Sequence, residues 1–210
     1  MAYKIKEMYY TLQGEGAQTG RPAVFCRFSG CNLWSGREED RHKAICQFCD
    51  TDFWGMDGEN GGRYFAKDLV DKATELWGNT DLGRPYVVCT GGEPLLQLDE
   101  TLIKAFHQAG FEVGVETNGT VEAPVGLDWI CVSPKAGTEL KITAGDELKL
   151  VFPQNGAEPE LFENLDFIHF FIQPMDGPNL QNNTRLAIDY CLKNPKWRLS
   201  IQTHKLLNIP

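Results

Sequence analysis

Short apolar runs alternate with amphipathic segments along most of this chain of 210 residues, and this alternation limits its possible folds more than any other feature. Residues 22–28 are almost continuously apolar, as is typical of a strand covered on both faces, whereas the apolar spacing in 65–77 predicts a helix. Alternating strands and helices favour a parallel sheet with right-handed crossovers. Further strands are predicted at 86–90, 111–116, 129–132, 147–152 and 167–172, and further helices at 99–108 and 180–192.

The number of repeats narrows the architecture. With about six of them, too few for an eightfold barrel, we expect an α/β fold: a shortened, open (βα)6-like partial barrel with a parallel sheet. Residues 1–10 are expected to form an extended lead-in, and 198–203 a final extended piece. The length fits a single domain spanning 1–210.

Polar or reactive residues follow the predicted strands at the points where the strands end. Barrel active sites are built from the carboxyl ends of strands, so we expect these side chains to converge on one mouth. The pairs are Arg27 and Cys31, Thr90 and Glu93, Glu116 and Asn118, Ser133 and Lys135, Gln173 and Asp176, and Gln202 and His204.

Three cysteines, Cys31, Cys46 and Cys49, follow the first strand, with fourteen residues between the first two and two between the last two. Such a set can place several thiolates on one metal centre. A structural zinc site normally has four protein ligands, and His42 or Cys26 could supply the fourth. A four-iron cluster with three thiolates instead keeps one iron open for an exogenous ligand. The spacing alone leaves both metals open.

Composition and charge argue against several other classes of protein. A net charge of −9 disfavours a general nucleic-acid binder, which needs a basic face. We find no apolar run long enough to span a bilayer and no signal-peptide core in 1–10, so we expect no membrane partner and a cytoplasmic location. The remaining cysteines lie in apolar contexts and are expected to be reduced core residues: Cys26, Cys89, Cys131 and Cys191.

The cysteines, the aromatic Phe48 before the last of them, and the 91–94 segment Gly-Gly-Glu-Pro resemble the radical S-adenosylmethionine superfamily. Three residues normally separate the first two cysteines there, so the resemblance requires an insert at about 32–45, with 35–44 looped out. The segments 13–16, 20–22, 30–33, 49–51, 90–94, 116–119 and 133–135 extend the resemblance to the 7-carboxy-7-deazaguanine synthase family along most of the chain.

The resemblance implies a carbon–nitrogen lyase-type enzyme that converts 6-carboxy-5,6,7,8-tetrahydropterin to 7-carboxy-7-deazaguanine with loss of ammonia, on the route to queuosine. It implies a [4Fe–4S] cluster on Cys31, Cys46 and Cys49, S-adenosylmethionine on the fourth iron, and Mg²⁺ near the substrate carboxylate. It also implies a small-molecule pterin substrate, a reductant such as flavodoxin, and a homodimer.

The resemblance further implies roles for individual residues. Thr51 matches the Mg²⁺ ligand, and an oxygen donor suits that hard ion. Contacts with S-adenosylmethionine are expected from Phe48, Cys49, Asp50, Gly92, Glu93, Ser133, Pro134, Lys135, Gln173, Pro174, Met175 and Asp176. Contacts with the substrate are expected from Leu12, Gln13, Gly14, Arg27, Thr90, Glu116, His204 and Pro210. Arg27 offers a planar fork of donors to a carboxylate, and Glu116 can accept from guanidine-like nitrogens.

Two other functions fit parts of the pattern. A zinc-dependent hydrolase or zinc-stabilised binding domain would use the three cysteines and His42, whereas a glycyl-radical activating enzyme would share the cluster. Iron and sulfide content, together with turnover of the carboxypterin, separate these alternatives. We interpret the polar insert at 35–44 as a docking site for the electron donor.

Overall fold

The structure, a computed structural model, describes residues 1–78 and 83–210. Nine strands in these residues form one sheet. The strands are β1 (Tyr3–Leu12), β2 (Pro22–Phe28), β3 (Gly62–Tyr64), β4 (Tyr86–Gly91), β5 (Glu112–Thr117), β6 (Trp129–Val132), β7 (Ala144–Phe152), β8 (Asp166–Pro174) and β9 (Trp197–Leu199). The α-helices are α1 (Ala66–Trp77), α2 (Glu100–Gln108), α3 (Leu180–Lys193) and α4 (Thr203–Leu207).

The sheet is open and mostly parallel. Its order is β3-β1-β2-β4-β5-β6-β7-β8-β9. From β2 to β9 in this order, each strand is parallel to the next. Strand β1 pairs antiparallel with both β2 and β3. The sheet does not close, because β3 and β9 form separate edges. The prediction of an α/β fold with an open, mostly parallel sheet is confirmed.

The prediction is less accurate at the two ends of the chain. Residues 1–10 are extended as expected, but they belong to a full strand of the sheet, β1, in which Ile5 and Met8 are completely buried. The extended piece predicted at 198–203 stops with β9, and α4 follows it. Thr203 anchors the start of this helix, since its main-chain N–H and its hydroxyl both donate to the Gly14 carbonyl, at 2.9 and 2.8 Å.

Successive residues on the parallel strands point alternately toward the helices and toward the opposite face. In β7, Leu148 and Leu150 belong to the buried core that also contains residues of α1, α2 and α3, whereas Lys149 between them lines a cavity. The same alternation separates Val115 from Glu116 in β5. A polar residue among apolar neighbours therefore marks the inner face of these strands.

Two further observations concern the core and the helices. Cys26, Cys89 and Cys131 are buried as predicted, whereas Cys191 on α3 is half-buried. No helix in the described ranges is long and apolar enough to cross a membrane.

Candidate active site

A cavity of about 450 Å³ opens at the carboxyl edge of the parallel strands. Small-molecule sites usually measure about 300–1,000 Å³. The predicted residues on its wall are Leu12, Gln13, Gly14, Arg27, Cys31, Cys46, Phe48, Cys49, Asp50, Thr51, Thr90, Gly92, Glu116, Ser133, Lys135, Gln173, Pro174, Met175, Asp176, His204 and Pro210. The structure therefore brings together most of the residues singled out from the sequence, while Glu93 and Pro134 lie outside the wall.

The cysteine segment folds so that its long gap becomes a surface excursion. The Ile45 N–H donates to the Leu33 carbonyl at 3.0 Å, which closes the loop and returns the chain to its starting point. Within the excursion, Glu38–Lys43 form a 3₁₀ helix in which no residue is buried. Cys31 and Cys46 consequently face the same cavity, and burial raises the pKa of both thiols.

The three thiols on this wall form a donor set of the type that holds an iron–sulfur cluster. Mononuclear zinc draws its sulfurs to about 2.3 Å from the metal, whereas a cluster distributes thiolates over separate irons. The two candidate fourth ligands for zinc are not in place, because His42 is exposed on the 3₁₀ helix and Cys26 is buried in the core. The donor set therefore fits an iron–sulfur cluster with three protein ligands.

The glycine-rich turn after β4 packs directly on the cysteine segment. The Glu93 N–H donates to the Gly30 carbonyl at 2.9 Å, and a β-carbon at Gly92 would lie 2.7 Å from the β-carbon of Cys31. Any larger residue at position 92 would displace the first cysteine, so this close approach requires glycine.

The Glu93 side chain connects two strand ends and does not reach the cavity wall. It is fully buried, and burial raises the pKa of its carboxyl group. Its oxygens accept from the Thr117 hydroxyl at 2.7 Å and from the Asn118 N–H at 2.8 Å, both at the end of β5. Pro134, the other predicted residue outside the wall, is also buried.

Arg27, near the end of β2, presents a guanidinium on the cavity wall. Its Nε donates to Glu7 Oε1 at 2.8 Å and its Nη2 donates to the Tyr9 hydroxyl at 3.0 Å. Burial lowers the pKa of Arg27, but Tyr9 and Glu7 outweigh this effect and raise it, so the group is firmly charged. Because arginine has five N–H donors, these two bonds fix the guanidinium and leave donors for a ligand.

A buried lysine and two glutamates form one part of the wall, and we name Glu15, Glu116 and Lys149 the charged floor. Lys149 Nζ lies 2.5 Å from Glu15 Oε2 and 3.5 Å from Glu116 Oε1. Glu116 also accepts from Gln13 Nε2 and from the Thr90 hydroxyl, each at 3.0 Å. Burial lowers the pKa of Lys149, yet the two carboxylates outweigh it and raise that pKa well above its ordinary value. The Glu116 oxygens are thus held in place by donors from several parts of the chain.

Glu147 lies close to the charged floor, and together with Glu116 it lines a small pocket. Its Oε2 accepts from the Ala17 N–H at 2.8 Å, and its Oε1 accepts from the Cys131 thiol at 3.5 Å. Burial raises the pKa of Glu147, which favours its protonated form.

The C-terminal segment 203–210 packs against the cavity mouth. His204 approaches Gly14 so closely that a β-carbon at that glycine would lie 2.9 Å from His204 Cγ. The Thr11 hydroxyl donates to the main-chain oxygen of Pro210 at 2.9 Å. These contacts bring His204 and Pro210 to the cavity wall.

Lys205 and Gln202 connect this segment to other parts of the wall. Lys205 Nζ lies 2.6 Å from Asp50 Oδ2 and 2.5 Å from Asp176 Oδ2. Gln202 Nε2 donates to Asp50 Oδ2 at 3.2 Å and to Glu15 Oε1 at 3.0 Å. Burial raises the pKa of Asp50, but the hydrogen bond and the positive charge of Lys205, together with the hydrogen bond from Gln202, outweigh it and lower that pKa. The cysteine segment, the end of β8 and the charged floor are therefore linked through Gln202 and Lys205.

A second lysine lies near the thiols. Lys135 Nζ donates to the Ser133 carbonyl at 2.6 Å and to the Ser133 hydroxyl at 2.7 Å, and it lies 6.0 Å from the centre of the Phe48 ring. Burial lowers the pKa of Lys135, and the nearby Cys46 and Cys49 oppose this shift. A cation in this position favours negative charge on the sulfurs.

Sequence reasoning missed several residues of the wall, including Glu7, Tyr9, Glu15, Lys149 and Lys205. A signal for Lys149 did exist, because a charged residue inside a strand predicted to be buried must have a partner. Glu7 and Tyr9 lie two residues apart, which is the period of one strand face. Lys205 had no local signal, since its partners are 155 and 29 residues away in the sequence.

Comparison with known proteins relates the chain to one group of enzymes, although no family model matches it. The chain is 61% identical to 7-carboxy-7-deazaguanine synthase of Caulobacter vibrioides over 211 residues, covering 100% of both proteins. It is 59% identical to the protein of the same name from Burkholderia multivorans, again with full coverage of both. Its fold is similar to the crystal structure of QueE from Escherichia coli, with a TM-score of 0.73, 29% identity, and coverage of 96% of this chain and 94% of that one.

Proposed function

The chain belongs to the 7-carboxy-7-deazaguanine synthase family, and on this premise we propose that the cavity at the carboxyl edge of its sheet is the active site. It is a radical S-adenosylmethionine lyase that converts 6-carboxy-5,6,7,8-tetrahydropterin to 7-carboxy-7-deazaguanine with loss of ammonia, in queuosine biosynthesis. Its [4Fe–4S] cluster and S-adenosylmethionine supply the radical chemistry when bound. The convergence of three cysteine thiols with Arg27 and Glu116 on one wall supports this assignment of the site.

Cys31, Cys46 and Cys49 are the proposed cluster ligands. Lys135 compensates the negative charge of their sulfurs, and Gly92 allows the β4 turn to reach the cluster segment. S-adenosylmethionine is proposed to lie against the parts of the segments 48–50, 92–93, 133–135 and 173–176 that line the cavity beside the thiols: Phe48, Cys49, Asp50, Gly92, Ser133, Lys135 and 173–176. This whole arrangement would belong to one catalytic domain spanning 1–210, with the insert at 32–45 on its surface.

The substrate is proposed to lie between Arg27 and the charged floor. Arg27 would bind its carboxylate through N–H donors that Glu7 and Tyr9 do not use, while Glu116 would accept from its guanidine-like edge. Gln13 and Thr90 fix the Glu116 carboxylate, so part of their role is to orient it. Leu12, Gly14, His204 and Pro210 complete the proposed enclosure, which would limit access of water.

Thr51 is the proposed Mg²⁺ ligand. It follows the last cysteine in an irregular segment of the wall, and its oxygen atoms are donors of the type that Mg²⁺ prefers. Since magnesium keeps several waters and bridges to anionic substrate groups, a single protein ligand would be sufficient for an ion shared with the substrate carboxylate.

Anaerobic reconstitution tests the proposed function. The chain is mixed with iron and sulfide, and turnover of the carboxypterin is followed with S-adenosylmethionine, with and without Mg²⁺. We expect about four irons per chain, product formation, and a lower rate without Mg²⁺. A colourless protein with one zinc per chain, or a loaded cluster without product, would overturn the assignment. A rate independent of Mg²⁺ would overturn the role of Thr51 only.

Three further proposals concern the surroundings of the enzyme: a flavodoxin-type reductant, a homodimer and a cytoplasmic location. Free thiols at all seven cysteines support a reducing compartment. Light scattering of the purified chain tests the dimer, and reduction of the cluster by purified flavodoxin tests the donor.

A further inference from the structure

Arg41 connects the exposed 3₁₀ helix of the insert, Glu38–Lys43, to the cysteine turn. Arg41 Nη1 donates to the Gln47 carbonyl at 2.9 Å and to the Cys49 carbonyl at 3.1 Å. The acceptors belong to the short turn that contains the second and third cysteines. One guanidinium nitrogen therefore bridges two carbonyls of the turn that carries the proposed cluster ligands.

The orientation of Arg41 is determined by two other contacts. Glu38 accepts from Arg41 Nε at 2.7 Å and from its Nη2 at 2.5 Å, which fixes the opposite edge of the guanidinium. The face of the guanidinium lies 4.0 Å from the ring centre of Trp34, and the Trp34 Nε1 donates to the Arg37 carbonyl at 3.1 Å. Trp34 is itself buried and packs edge-on against Phe53 at 5.4 Å. The insert thus holds the arginine rigidly against the cysteine turn.

We propose that Arg41 is a positioning residue for the iron–sulfur cluster: it fixes the 46–49 turn through two main-chain carbonyls and places a positive charge beside the ligand thiolates. This inference rests on the proposed function, because it presupposes the cluster. Hydrogen bonds and net charge around the sulfurs set the potential of such clusters, and outer-shell partners hold the ligands in position. Arg41 should therefore both slow the loss of iron and make the cluster easier to reduce.

The insert offers a matched control in Arg37. It carries the same charge, but its guanidinium pairs with Glu39 at 3.7 Å and lies 5.4 Å over the ring of Trp54. Its side chain is 55% exposed, compared with 28% for Arg41. Arg37→Gln removes one positive charge from the same insert without removing a bond to the cysteine turn.

The test compares Arg41→Gln, Arg41→Lys and Arg37→Gln with the unmodified enzyme, all reconstituted with iron and sulfide. Iron loss to a chelator is timed, and the reduction potential of the cluster is measured by a redox titration followed by electron paramagnetic resonance. For Arg41→Gln we expect iron loss about tenfold faster, the lower end of the effect of an outer-shell partner, and a more negative potential. For Arg41→Lys we expect faster iron loss with a potential close to that of the unmodified enzyme, since lysine keeps the charge but not the planar fork.

The outcomes separate the two levels of the proposal. Arg37→Gln should match the unmodified enzyme in both measurements. If Arg41→Gln loses iron no faster than Arg37→Gln, or has the same potential, the inference is overturned. If Arg41→Gln binds no iron, Arg41→Lys serves as the test instead. Iron loss from Arg41→Lys at the rate of Arg37→Gln would then overturn the inference. An unmodified chain that binds no iron would overturn the proposed function as well.

Discussion

Replacement of Lys149 by methionine tests whether the charged floor is held together by its buried ion pairs. The Lys149 side chain is 6% exposed, and its ammonium lies 2.5 Å from Glu15 and 3.5 Å from Glu116. Methionine has a similar length and no charge, so the substitution removes the pairing and largely keeps the packing. Both carboxylates would then remain partly buried without their cation.

The magnitude follows from the contacts that remain. Removal of one partner from a buried ion pair costs about 3–5 kcal/mol. Glu15 would keep its bond from Gln202 at 3.0 Å, and Glu116 would keep those from Gln13 and Thr90. We therefore expect a loss near the lower limit, about 3 kcal/mol. With a urea dependence of about 2 kcal/mol per molar, the midpoint of unfolding should fall by about 1.5 M.

Urea unfolding followed by circular dichroism under anaerobic conditions measures this shift. Lys104→Met is the control, because Lys104 pairs with Glu100 at 2.9 Å on an exposed face and should change stability by less than about 1 kcal/mol. Adding Glu15→Gln to Lys149→Met should restore part of the stability, since one uncompensated charge is removed. A midpoint for Lys149→Met within about 0.5 M of the unmodified protein would refute the reasoning, as would a double variant less stable than the single one.

Three other predictions follow from the site. Burial raises the pKa of Glu147 above its ordinary value of about 4.5, so the stability of the protein should fall as pH rises from that value through the folded pKa. Glu147→Gln should make this fall smaller when urea midpoints are measured across the pH range. Equal slopes in the variant and the unmodified protein would contradict the prediction. Deletion of the last two residues should raise the KM for the carboxypterin, and an unchanged KM would exclude a binding role for Pro210. Lys205→Met should raise the Kd for S-adenosylmethionine, measured by calorimetry, because Asp50 and Asp176 lose their shared cation; an unchanged Kd would show that the link is unimportant for binding.

Much of the fold could be predicted from local patterns. The strand predicted at 22–28 coincides with β2, because a short, nearly continuous apolar run is typical of a strand in a sheet covered on both faces. Predicted helices match α1, α2 and α3 to within a few residues, since their apolar spacing and following turn residues are local signals. For β1 the sequence predicts only an extended lead-in, because the polar residues of this strand, such as the buried Lys6, obscure the alternation.

The candidate site was predictable to the extent that its residues follow strands. Thr90, Glu116 and Gln173 lie at strand ends, and the parallel sheet brings such positions to one edge. Lys149 and Lys205 could not be assigned in this way, because neither lies at a strand end and their partners become neighbours only in the folded chain. The insert presented the same difficulty, since nothing in the sequence shows that Arg41 faces the cysteine turn and Arg37 does not.

The charged floor is better explained by ligand binding than by stability. A buried ion network seldom stabilises a protein more than apolar residues of the same volume would, so burial of Glu15, Glu116 and Lys149 brings little stability in itself. It does fix carboxylate oxygens on one side of the cavity, while Glu7 and Tyr9 fix the Arg27 guanidinium elsewhere on the wall. A carboxypterin matches both features, because it carries a carboxylate and a guanidine-like edge on one rigid frame. An analogue lacking either group would lose its hydrogen bonds to a charged side chain, at a cost of about 1.5–3 kcal/mol in binding. Selectivity for the substrate would then come from these charge-assisted hydrogen bonds, rather than from the shape of the cavity.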